Sequence, residues 1–223
     1  MKMAEKIKID IVSDVVCPWC VIGYKRLEKA IDQLGLQNQV EIEWQAFELN
    51  PNMPVEGQAL QEHLSQKYGS TIEQGKQSRA QLTQLGSEMG FTFDFFDEMR
   101  MPNTRDAHIL IDYALESGKQ TELNLRLIAA HFSEQKDLSD PEILAQELQA
   151  VGLNDDLGLE RLKDAKAREH IISKEAYWQK KGVTAVPTMV FNRTSALTGA
   201  QPVEVYKKLL RDLMGEEEIA NLE

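Results

Sequence analysis

The sequence predicts an α/β fold in which a βαβ unit at the start and a ββα unit at the end flank a long helical block. Three observations carry this expectation. Period-two runs rich in β-branched residues lie near the two ends of the chain. Between them, apolar residues recur at helical spacing over roughly 120 residues. The first strand-like run also leads directly into Cys17-Pro18-Trp19-Cys20, where Pro18 suits the first turn of a helix.

Ile7 to Val12 alternates apolar and polar residues and reads as a strand. Ser13 to Val16 leads into Cys17, and Trp19, Ile22, Gly23, Leu27, Ala30, Ile31 and Leu34 then recur at helical spacing until Gly35. Val40 to Phe47 returns to period two. Strand, helix and strand make a βαβ unit whose first loop holds both cysteines. After Pro51 and Pro54 no strand is expected until the tail; helices are expected over Leu60 to Tyr68, Ile72 to Met89, Thr104 to Ser117 and Glu122 to Gln135. Asp140-Pro141-Glu142 opens another that runs to Val151. Asn154-Asp155-Asp156 precedes one long helical stretch to Lys181, stopped by Gly182. Phe91 to Phe96 alternates in part and reads as an apolar loop packed between helices. In the tail, Thr184 to Phe191 is a strand and Ala196 to Gly199 a shorter one, and a final helix runs through Leu213. The simplest assembly joins residues 1–57 and 182–223 into one discontinuous α/β domain, with 58–181 as an all-helical insertion.

Charge and composition exclude several classes. A net charge of −11 disfavours nucleic acid as partner, because phosphate binding needs clustered Lys and Arg. The apolar runs fall far short of the roughly 18 residues of a membrane span. Met1 to Lys6 is followed by an alternating run rather than a continuous apolar segment, so no secretory signal is read and a cytoplasmic location is expected.

The two cysteines are the only ones in the chain. A secreted disulfide scaffold would carry more, spread along the sequence. Half a zinc site is the other use of C-x-x-C, but zinc wants four ligands and no second pair exists. The histidines, His63, His108, His131 and His170, fall in expected helices far in sequence from the cysteines; no metal is expected. Redox chemistry suits the pattern better. Only a thiolate attacks a disulfide, and a helix N-terminus supplies the unpaired N–H groups and partial positive charge that favour one at Cys17. Cys20, one turn on, can reach Cys17 and release a mixed disulfide, so Cys17 is expected to be the more exposed sulfur. Val186-Pro187 stands out as an X-Pro in a strand-like run, where proline removes a ladder donor and belongs at an edge or bulge.

The run Val12-Ser13-Asp14-Val15-Val16-Cys17-Pro18-Trp19-Cys20-Val21-Ile22-Gly23, with Gly182-Val183-Thr184-Ala185-Val186-Pro187-Thr188, resembles the DsbA superfamily. Asn103-Thr104-Arg105-Asp106-Ala107-His108 and Gly199-Ala200-Gln201-Pro202 narrow the resemblance to its FrnE-like branch, over about Ile7 to Leu213. The resemblance implies a thioredoxin-like domain with a large helical insertion, acting as a thiol–disulfide oxidoreductase on protein disulfides or small thiols. It implies Cys17 as the attacking sulfur, Cys20 as the resolving one, and a cis Val186–Pro187 peptide facing them, with the Val186 backbone and Pro18 beside the substrate. No cofactor is required by that mechanism, and glutathione is an implied electron partner.

The sequence also departs from its relatives. DsbA proper carries Pro-His between the cysteines; here they are Pro18-Trp19, and indole carries no charge. The buried carboxylate common six residues before the first cysteine is replaced by Ile11. Asp14 is read either as a cap of the helix start or as a base for Cys20. Trp19 is read as an exposed substrate contact or a core residue. Asn103 and His108 are read as lining the cleft over Cys17, or as a cap and packing. Two rival functions stand beside the main one. Related 2-hydroxychromene-2-carboxylate isomerases and kappa-class glutathione transferases use bound glutathione, usually with serine in place of the attacking cysteine. A chaperone-like module would present Phe91, Phe93, Phe95 and Phe96 as an apolar groove.

Overall fold

The computed structural model describes residues 6–214. Residues 1–5 and 215–223, which the sequence assigns to the end domain, lie outside the described residues. The chain runs β1 (Ile7–Ser13), α1 (Pro18–Gln33), β2 (Val40–Ala46), β3 (Gln58–Ala59), α2 (Leu60–Tyr68), α3 (Ile72–Glu88), β4 (Arg100–Met101) and α4 (Arg105–Leu115). It continues α5 (Gln120–Ser133), α6 (Pro141–Ala150), α7 (Asp155–Lys163), α8 (Ala165–Lys180), β5 (Thr188–Phe191), β6 (Ser195–Thr198) and α9 (Val203–Met214). The mixed α/β architecture matches the expected one, a thioredoxin-like fold with a large helical component.

The main sheet has the order β2-β1-β5-β6, with β1 parallel to β2 and antiparallel to β5. β1 is central, which explains its near-continuous burial. Even its acid is covered: Asp10 accepts hydrogen bonds from Gln45 Nε2 (2.8 Å) and Arg193 Nε (3.2 Å). Alternation along β1 sends Ile9 and Ile11 into one cluster and Val12 into another. The first cluster is continuous from these strand residues through Leu27 of α1 to Leu110, Leu127 and Leu148 of the helical block. Sheet and block therefore share a core. Val12 meets Trp178, Val183 and Val190, while Ala46 meets Ile109 and Ile171, fastening α4 and α8 to the sheet.

One side chain completes the edge strand. Trp44 of β2 donates its N–H to Gln120 Oε1 (2.7 Å), and Gln120 Nε2 donates back to Trp44 O (3.1 Å). A strand edge covered by a helix needs such a partner for its backbone groups.

Three expectations are corrected. The stretch from Asn154 to Lys181 is two helices, because Asp164 is extended (ψ 113°) and its carboxylate caps α8 through Lys166 N–H. The tail strand starts at Thr188 rather than Thr184; Pro187 has no N–H to give a ladder. The middle of the chain also holds strands, since β3 and β4 pair in antiparallel fashion and the Arg100 guanidinium binds Glu56 O and Gly57 O. Two residues are too few for period two to show.

The Phe91 to Phe96 segment is a loop, as expected, with Phe91, Phe95 and Phe96 half-buried around Phe93. Phe93 is buried, stacked on Phe95 (5.4 Å) and edge-on to Phe132 (5.2 Å). No helix among the described residues is long and apolar enough to cross a membrane.

Candidate active site

The site is built where β1 gives way to α1. Cys17 is the N-cap of α1 with extended backbone (φ −94°, ψ 108°), and Pro18 occupies the first helical turn. Cys17 N–H donates to Asp14 O and Cys20 N–H to Cys17 O, each at 3.0 Å, which closes the turn into the helix. Both cysteines are free thiols; Cys17 is 5% exposed and Cys20 wholly buried. The thiol of Cys17 points at Val186 O, 3.9 Å away. The Val186–Pro187 peptide is cis. Gly23 lets Pro187 approach α1: a Cβ there would lie 3.0 Å from Pro187 Cγ.

Cys17 opens on a cavity of about 410 Å³. Val186, Pro18 and the 41%-exposed Trp19 form its rim beside the sulfur, so Trp19 is a surface aromatic rather than a core one. The far wall comes from the helical block, including His63, Leu82, Phe95 and His131. Those wall residues carry no signal in the sequence, because α2, α3 and α5 meet the cysteines only through the fold. Burial holds the His131 imidazole down at about 4, so it is neutral near pH 7. Burial, then the charge of Lys67, also lowers His63.

Burial pushes the Cys20 thiol well up, and the neighbouring Cys17 adds to this; the Asp14 backbone amide favours the thiolate and the Asp14 carboxylate opposes it. Asp14 is therefore beside Cys20. It does not cap α1, whose N-cap makes no side-chain bond. Its Oδ2 accepts from Leu49 N–H (2.8 Å) and its Oδ1 lies 3.3 Å from His108 Nε2.

His108 is 3% exposed and is not among the residues lining the cavity; it lies against Asp14. Burial lowers its imidazole, but Asp14, with Glu175 and Glu48 farther off, brings it above its ordinary value. Asn103 also stays out of the cavity, bracing the α4 entry through Nδ2 to Met53 O (2.7 Å) and Arg105 N–H to its Oδ1 (3.1 Å). Behind this pair, Arg105 Nε binds Glu48 Oε2 (3.1 Å), and Glu48 N–H donates to Glu175 Oε1 (2.8 Å). Sequence reasoning missed Glu48, Glu175 and Arg105 as a set; 127 residues separate Glu48 from Glu175. Asp14, inside the run before the cysteines, and Arg105 and His108, inside the Asn103 to His108 run, carried a local signal.

The model of the DSBA-like thioredoxin domain matches residues 8–211. A solved structure from Streptomyces coelicolor, described as a "probable DsbA oxidoreductase", shares 29% identity, covers 94% of this chain and 91% of its own, and superimposes with a TM-score of 0.88. A 2-hydroxychromene-2-carboxylate isomerase superimposes with a TM-score of 0.69 at 16% identity, over 97% of this chain and 99% of its own. The cytosolic disulfide reductase DsbM of Pseudomonas aeruginosa, solved with GSH, reaches 0.62 at 14% identity, over 93% and 98%. The last two establish a shared fold and no more. The family match spans sheet, cysteine turn and helical block alike, and the chain belongs to the DSBA-like thioredoxin domain family.

Proposed function

We propose that this protein is a thiol–disulfide oxidoreductase working through Cys17 and Cys20. The observation that carries the reading is the asymmetry of the pair: Cys17 caps α1 and opens on the cavity, while Cys20 is sealed one turn behind it. The Cys17 thiolate attacks a substrate disulfide, and one half leaves as a thiolate. Cys20 then loses its proton and attacks Cys17, which closes the intramolecular disulfide and releases the second half. The reverse sequence oxidises a dithiol. Val186 O and Pro187 shape the cleft in which the substrate sulfur approaches Cys17, and exposed Trp19 gives it an apolar contact.

The substrates are protein disulfides or small thiols. Glutathione is the proposed electron partner, a reading supported by the GSH in the DsbM structure and by a cavity of ordinary ligand size beside Cys17. The chemistry needs no metal or organic cofactor. A reducing cytoplasm suits a C-x-x-C pair used for turnover rather than for scaffolding. Residues 58–181 act as an insertion into the thioredoxin-like unit formed by 1–57 and 182–223, and supply the far wall of the cavity.

The test is to titrate the reduced protein with oxidised glutathione and follow it by mass spectrometry. Wild type should form the Cys17–Cys20 disulfide, Cys20→Ser should accumulate a Cys17–glutathione adduct, and Cys17→Ser should form neither. Absence of the intramolecular disulfide in wild type overturns the reading. A glutathione-dependent isomerisation that survives Cys20→Ser would move the chain to the isomerase chemistry.

A further inference from the structure

Behind the cysteine pair lie three buried polar atoms that have no hydrogen-bond partner among the described residues: Asp14 Oδ1, His108 Nε2 and Glu48 Oε1. Their residues are 0%, 3% and 6% exposed. Leaving such groups unpaired in a protein interior is costly. A buried ion pair is itself a weak stabiliser that apolar residues of similar volume often replace without loss. Stability therefore does not account for this arrangement. Asp14 is held in place from one side only, its Oδ2 fixed by Leu49 N–H, so that Oδ1 faces His108 Nε2 at 3.3 Å without the geometry of a hydrogen bond. At 3.3 Å a small shift brings the two groups into the hydrogen bond that proton transfer requires.

Resting on the dithiol reading above, we propose that Asp14 and His108 form the proton relay of Cys20. In the resolving step the Cys20 S–H bond breaks, its sulfur forms the S–S bond to Cys17, and the Cys17–substrate S–S bond breaks. The substrate sulfur leaves with the electron pair. The Cys20 proton passes to the Asp14–His108 pair and returns to solvent or the departing thiolate. Electrostatics favour this route. The Asp14 carboxylate opposes a thiolate at Cys20, and a proton taken up by the pair cancels that charge as the thiolate forms. His108 acts here as a positioning and relay group, not as a contact to substrate. Titratable groups around the pair come from several elements: the Asp14 charge reaches Lys67 of α2 and the neutral His131 of α5, while Glu48 and Glu175 act on His108.

The experiment compares Asp14→Asn and His108→Gln with wild type between about pH 5 and pH 9, a range that brackets the ordinary histidine value. Two rates are read: alkylation of Cys17, and glutathione release from a preformed Cys17–glutathione adduct. The relay predicts that release slows by about 100-fold near pH 7 and becomes proportional to hydroxide in both variants, with Cys17 alkylation unchanged. Folded variants with a wild-type pH profile, whether or not the rate drops, overturn it and mark a structural role. Should the variants not fold, the His108 imidazole is titrated by NMR in reduced and oxidised wild type. A titration that moves on closing the disulfide supports the relay, and an identical one overturns it. Failure of wild type to form the disulfide at all would instead defeat the dithiol reading.

Discussion

Glu175 and Glu48 place two carboxylates in one buried corner, with Glu48 N–H donating to Glu175 Oε1. Burial, then the Glu48 charge, pushes the Glu175 carboxyl up to about 7. An unfolded glutamate titrates near about 4.3. The native state therefore holds this proton longer, so the stability it contributes is present below about pH 4 and is lost as pH rises towards 7. Glu175→Gln keeps the acceptor for Glu48 N–H and cannot ionise. Its Tm should sit close to wild type at pH 5 and exceed it by a few degrees at pH 8, where 1 kcal/mol moves Tm by about 2–4 °C. Equal Tm differences at both pH values in parallel calorimetric scans would show that Glu175 is already ionised in the fold. Nothing in the local sequence of Glu175 signals this. The cysteines are the opposite case, since C-x-x-C and the following Pro-containing helix start are read from adjacent residues.

At the level of elements, α3 and the phenylalanine loop meet at Gly86. A Cβ there would lie 2.5 Å from Phe93 Cδ2 and 2.7 Å from Phe91 O. Alanine is the better helix former by about 1 kcal/mol, yet the backbone oxygen cannot step aside cheaply. Gly86→Ala should therefore be destabilising overall, by about 2 kcal/mol, with a lower urea midpoint. A rise in the midpoint would mean that the loop can move away. Most elements were legible because apolar periodicity, proline at helix starts and glycine at helix ends are local properties of the chain. The break at Asp164 was missed although aspartate is a good N-cap, because helical spacing continues on both sides of it. β3 and β4 were missed because each spans a single repeat of its own pattern, too little for a period to show.

Across the whole molecule, Gln120 ties the helical block to the sheet. Its amide satisfies both the N–H and the C=O of Trp44 in β2. Gln120→Leu removes both partners and leaves the backbone groups buried, at a cost of roughly 2–4 kcal/mol. Tm should fall by about 5–15 °C. A Tm unchanged from wild type would mean that the edge of β2 is hydrated rather than sealed. By itself, the sequence determined the α/β pattern, the cysteine turn at the start of α1, and the family to which the chain belongs, because these follow from residues next to one another. Only the tertiary structure decided that the helical block shares the sheet's core, that its helices wall a cavity over Cys17, and that His108 backs Asp14 instead of facing that cavity. Those facts depend on contacts between residues far apart in the chain, and burial and charge act through space rather than along it.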